Sequence, residues 1–95
     1  MSVVGFEWPE WALAGLRGIE PGEVLQVLNA DRRWPRTAVS DTGMQVLTVW
    51  GRTRTGRPLL VAVRQVSQWD WQILGARDLN PKETEELTTW EEGQQ

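Results

Sequence analysis

The feature that most constrains the fold is the alternation running through residues 44–77, MQVLTVWGRTRTGRPLLVAVRQVSQWDWQILGAR. Val46, Thr48 and Trp50 fall on one side of an extended chain, with Leu47 and Val49 on the other. Leu59, Val61 and Val63 oppose Leu60, Ala62 and Arg64 in the same way, and Trp69, Trp71 and Ile73 oppose Asp70, Gln72 and Leu74. Three antiparallel strands in a meander follow, because both connections are short and the first carries Gly51 and Gly56 for its turn. Pro58 lacks an amide N–H and is expected to open its strand.

The flanks supply helices and edges. Val3–Trp8 reads as a short edge strand, and Pro9–Arg17 as a helix of two or three turns stopped by Gly18. Pro21 opens a second helix whose Val24, Leu25, Val27 and Leu28 form an apolar face to cover the sheet. Asp31–Arg36 is a basic connector, Thr37–Val39 a candidate further strand, and Ser40–Gly43 a turn. Asn80-Pro81-Lys82-Glu83 starts a third helix, with Asn as cap and Glu at the capping-box position. It runs to about Glu92 with Leu87 and Trp90 as its apolar content, which suits a peripheral helix or one docked on a partner. The expectation is an α+β fold in one domain over 1–95: an antiparallel sheet of three to five strands, two N-terminal helices and one C-terminal helix.

Charge is distributed unevenly. Net charge is −3, yet from Asp31 to Arg64 seven arginines face two aspartates, and from Asp78 onward six carboxylates face Lys82 alone. Nine of the ten cations are arginine, suited to bidentate phosphate contacts, although GC-rich coding produces the same bias. With no cysteine there are no disulfides or thiolate metal sites, and with no histidine the usual near-neutral acid–base group is missing. No apolar run reaches membrane-spanning length and no signal peptide is recognisable, so a cytoplasmic chain with no cofactor, metal or membrane partner is expected. Seven tryptophans are many for this length. Trp50 and Trp71 suit the core, whereas Trp34, among arginines, and Trp90 suit a base-stacking or partner-binding surface.

No phosphate loop, nucleophile–histidine pair or metal-ligand spacing is present. What remains is arginine on a sheet: Arg52, Arg54 and Arg57 at the first turn, Arg64 late in the central strand, Arg77 at the end of the last. The meander keeps these from all clustering. Strand parity points Arg77 inward with Trp71 and Ile73, and a bulge at Gly75 would reverse it.

Taken in order, Phe6-Glu7-Trp8, Leu16-Arg17-Gly18-Ile19, Pro21–Leu28, Trp50-Gly51-Arg52-Thr53, Gly56-Arg57-Pro58-Leu59-Leu60-Val61, Ile73-Leu74-Gly75-Ala76-Arg77 and the Glu83–Trp90 helix resemble the BrnT family, small RelE-like toxins of type II toxin–antitoxin modules. The resemblance spans almost the whole chain. It implies a RelE-like fold, a ribonuclease that stops translation, an RNA substrate, and a cognate antitoxin that covers the toxin in a hetero-tetramer and binds operator DNA. Matched by position, Arg57, Arg77 and Glu83 are the implied catalytic residues, and Leu16-Arg17 stand where the family typically has Lys-His. On that basis Arg17, Arg57 and Arg77 grip the phosphate and stabilise its developing charge, Arg64 or Glu83 assists, and Arg52, Arg54 and Trp34 contact RNA. Two alternatives stand beside it. One is a non-catalytic protein-interaction domain of the same fold, with Arg77 and Glu83 as a salt bridge pinning the last helix; the other is a nucleic-acid-binding module using Arg32, Arg33, Arg36 and Trp34.

Overall fold

A computed structural model describes residues 5–94. In chain order the elements are β1 (Gly5–Glu7), α1 (Glu10–Ala14), α2 (Pro21–Leu28), β2 (Trp34–Val39), β3 (Gln45–Arg52), β4 (Pro58–Gln65), β5 (Asp70–Asp78) and α3 (Pro81–Glu92). They form the expected α+β architecture with a single five-stranded sheet in the order β1-β5-β4-β3-β2. Strands β2 to β5 are the antiparallel meander, whereas β1 pairs in parallel with β5, so the sheet is mixed.

The sheet separates two apolar layers. On one face Val49, Leu59, Val61, Val63 and Ile73 pack against Val24, Val27 and Leu28 of α2 and Ile19 of the preceding loop. On the other, Trp50 and Leu60 meet Leu79 and the Leu87 and Trp90 side chains of α3. Both faces are buried where the helices lie because the central strands alternate two sets of apolar residues rather than apolar with polar. At the close approach of α2 to β3, a Cβ on Gly51 would stand 3.2 Å from the Val27 Cγ1 methyl, so glycine is what lets this helix settle.

Several boundaries differ from the sequence reading. Val3 and Val4 of the expected first strand lie outside the described residues; Gly5–Glu7 is the strand that is seen. Pro9 caps α1 instead of opening it, and the helix ends at Ala14 with Gly15 at its C-cap, which leaves Arg17 in a loop. Gly15 is a poor helix residue, and Leu16 turns to pack on the first core, so continuing the helix would forfeit that burial. Strand β2 begins at Trp34, inside the basic connector, and its chain pairs residue by residue with β3 from Trp34↔Trp50 to Val39↔Gln45. Trp69 sits 53% exposed in the turn before β5 instead of lining a strand face, and Leu25 of α2 faces outward.

The ends of α3 follow the sequence reading closely. Asn80 Oδ1 accepts the Glu83 amide at 2.8 Å, and Glu83 Oε1 accepts the Asn80 amide at 2.9 Å, the reciprocal capping box. Gly56, at φ +91°, supplies the left-handed residue that closes the β3–β4 turn.

Candidate functional site

Three of the singled-out arginines come together at one end of the sheet, and the register fixes which. Arg52 pairs with Pro58, Leu59 with Asp78 and Leu60 with Arg77, so the end of β3, the start of β4 and the end of β5 share that edge. Arg64 lies at the far end of β4, about 20 Å away at the usual strand rise. There its Nε donates to Gln72 Oε1 at 2.7 Å and its Nη1 reaches Met44 Sδ at 3.6 Å. Arg64 therefore does not join the others.

The direction of Arg77 is settled by a bulge. Ala62 pairs with Gly75 but Val63 pairs with Ile73, so Leu74 is an extra residue on β5. Ile73 and Ala76 consequently both pack on the α2 face, and Arg77 turns to the α3 face instead of inward. From there it makes a bidentate pair with Glu83, Nη1 to Oε1 at 2.7 Å and Nη2 to Oε2 at 2.8 Å.

Arg57 is more fully engaged. Its Nε and Nη2 donate to the two carboxylate oxygens of Asp78 at 2.8 and 3.0 Å, and its Nη1 donates to the Gly18 carbonyl at 2.9 Å and to Glu23 Oε1 at 3.1 Å. Four of its five N–H groups are used. Arg52 holds the other end of α3, with Nε shared between both oxygens of Glu91 at 3.1 Å and Nη2 on Thr88 Oγ1 at 3.0 Å. Each of these arginines thus ties a helix to the sheet: Arg57 ties α2 and the α1–α2 loop, while Arg77 and Arg52 tie the two ends of α3.

Electrostatics follow the same pairing. Hydrogen bonding to Arg77 is the main cause that pulls the Glu83 carboxyl down from 4.5 to about 2, with the Asn80 amide adding to it. Hydrogen bonding to Arg57 lowers Asp78 in the same way, and both guanidinium groups are held protonated more firmly than usual. A carboxylate so acidic is a feeble proton acceptor at neutral pH. Arg57 is paired with Glu23 and Asp78 and Arg77 with Glu83, so three carboxylates already face these two guanidinium groups where a phosphate would have to bind. Arg17 Nη1 bonds only the carbonyls of Ala14 and Leu16, and the Arg54 guanidinium makes no hydrogen bond or ion pair among the described residues.

The tryptophans expected at a surface are spent on each other. Trp34 and Trp90 stack with ring centroids 5.4 Å apart and planes 5° from parallel, while Trp34 meets Trp50 edge to face at 5.5 Å. The Arg36 guanidinium lies 4.5 Å from the Trp34 centroid and 4.7 Å from that of Trp50, and reaches Glu86 on α3 at 3.9 Å. Trp34 is accordingly a joint between β2 and α3, not a free platform for a base. Sequence reasoning missed Glu23, Asp78 and Glu91 as partners; the visible signal was a carboxylate directly after Arg77 and another in the first turn of the second helix.

No family model matches this chain, and no curated protein matches it. Among the described residues no group of acidic side chains is placed to hold a metal ion, and no helix is long and apolar enough to cross a membrane.

Proposed function

We propose that this chain works by binding a protein partner rather than by cutting RNA, as a domain with a BrnT-like toxin scaffold whose phosphate-gripping arginines hold helices instead. The observation that carries this reading is the engagement of Arg57: a guanidinium with four of its five N–H groups on Asp78, Glu23 and Gly18 has one left for a phosphate. To grip RNA it would have to give up two carboxylates, and both of those would then face the anion.

A partner is favoured by what the fold leaves uncovered. Trp11, 58% exposed, and Leu13 and Leu25 lie on the helical side, and Val39, Met44, Val66 and Trp69 gather at the turns opposite the arginine end. The counterpart expected for such a scaffold is an antitoxin-type protein encoded beside it, met in the cytoplasm. The ribonuclease toxin remains the second reading, favoured by Arg77, whose side chain is 54% exposed and whose Nε makes no hydrogen bond among the described residues.

Induced expression of this chain alone separates the two. The expected outcome is normal growth with intact cellular RNA, and stable co-purification when the neighbouring reading frame is co-expressed. Growth arrest with RNA degradation, lost in Arg77→Ala, would overturn the binding reading and restore the nuclease.

A further inference from the structure

Helix α2 has only eight residues and leaves part of its sheet face open. The opening is a cavity of about 390 Å³, to which all five strands contribute and which α2 closes on one side through Leu28 and Asn29. Its floor is the cross-strand pair Leu47 and Val63. One wall is aromatic, because Phe6 and Trp71 are register partners on the parallel pair β1 and β5 and so stand side by side. Arg33 also lines it, with Nη1 donating to the Ala30 carbonyl at 2.7 Å while Nε and Nη2 make no hydrogen bond among the described residues. Among the described residues no carboxylate lines the cavity, whereas Arg52, Arg57 and Arg77 at the far end of the sheet are each paired with at least one.

We infer that this cavity is a binding site for a small amphipathic carboxylate with an aromatic body, the ring lying against Phe6 and Trp71 and the carboxylate paired with Arg33. Three features carry the inference. The volume is that of a small-molecule site, and the lining is preformed, with the buried Val49 and Val63 and the half-buried Leu47 among its apolar residues. The wall is aromatic, which favours a ring over a saturated chain. The charge is localised: among the described lining residues Arg33 is the sole ionic group, while Asn29 has its Nδ2 held by the Leu25 carbonyl at 2.9 Å. An anion there meets a cation with no carboxylate partner among the described residues, unlike Arg52, Arg57 and Arg77. The site is independent of the partner-binding reading, since none of its lining residues belongs to the ion-pair network.

The test is calorimetric titration of the full chain with 1-naphthylacetate and with its uncharged isostere 1-naphthaleneethanol. One site is expected, with the acid bound about tenfold more tightly than the alcohol, as for a hydrogen-bonded charge pair. Arg33→Gln should bring the acid down to the affinity of the alcohol and leave the alcohol unchanged. Leu47→Trp, which fills the cavity from a half-buried position, should abolish binding of both while circular dichroism shows the fold retained. Equal affinities of acid and alcohol for the unaltered chain, acid binding undiminished in Arg33→Gln, or no binding of either probe at millimolar concentration would each overturn the proposal. If Leu47→Trp does not fold, the Arg33→Gln comparison alone decides it.

Discussion

Arg57, Arg77 and Arg52 illustrate how the same residue type serves two ends that a sequence does not distinguish. A guanidinium grips phosphate and carboxylate with the same fork of donors, and only the neighbours decide which. The partners of Arg57 lie 21 and 34 residues away and that of Arg52 lies 39 away, so no local spacing announces them. Arg77 with Glu83, six residues apart across a turn, was legible as a pair, because the strand end and the helix start fix both sides of it. The sign of its linkage to pH is definite. Glu83 titrates at about 2 in the folded chain and near 4.5 when unpaired, so its stabilisation is complete above about pH 4.5 and is lost as pH falls toward 2. Asp78 moves in the same direction. Thermal melts between pH 7 and pH 2 are therefore expected to show a steep acid limb in the unaltered chain and a shallower one in Glu83→Gln, which keeps the capping geometry but carries no charge. Parallel acid limbs in the two would show that the pair contributes nothing to folding. At exposed edges such pairs are also screened, so the difference should shrink in high salt.

At the scale of elements, alternation located β3, β4 and β5 almost residue by residue, and capping chemistry located the start of α3. Both are local signals: a period of two, and an Asn, a Pro and a Glu at fixed offsets. What escaped is what depends on a neighbouring element. The bulge at Leu74 reversed Arg77 because pairing to β4 has to absorb one extra residue, and only Gly75 beside it hinted at this. The start of β2 at Trp34 depends on Trp50 across the ladder and on Trp90 above it, neither of which is near in sequence. Helix α3 also proved to be more than a peripheral element, despite its thin apolar content. Leu87 is fully buried against Trp50 and Leu79, and truncating it to Ala should cost about 2–4 kcal/mol. Urea titration checks this, with the midpoint falling and the slope unchanged; a loss under about 1 kcal/mol would mean that α3 is held by its ion pairs and stacked rings rather than by this side chain.

The molecule as a whole is a sheet with unlike ends. One end is ionic, with Arg52, Arg57 and Arg77 committed to α2 and α3; the other is a set of turns carrying open apolar side chains. Helices α2 and α3 are anchored at the ionic end. Cohesion is uneven as well. Strands β3, β4 and β5 are central and carry the buried Val49, Leu59, Val61, Val63 and Ile73, whereas β1 and α1 are three and five residues long. Native-state hydrogen exchange should accordingly find the amides of Val61 and Val63 opening only with global unfolding and that of Phe6 opening well before. Equal protection of Phe6 and Val61 would show instead that the N-terminal strand belongs to the same cooperative unit.

The parallel pairing of β1 with β5 also sets a clock on synthesis. Gly5 must wait for Asp70, 65 residues later, before it has a partner. At ordinary translation speeds that is roughly 3 to 13 seconds. The hairpins of the meander have partners within a few residues and close as they emerge, so β1, made before them, is seated after them. Through that interval Phe6 and Trp8 travel without the surface that will cover them, and a nascent chain stalled between β1 and β5 would present both rings to whatever waits at the ribosome exit.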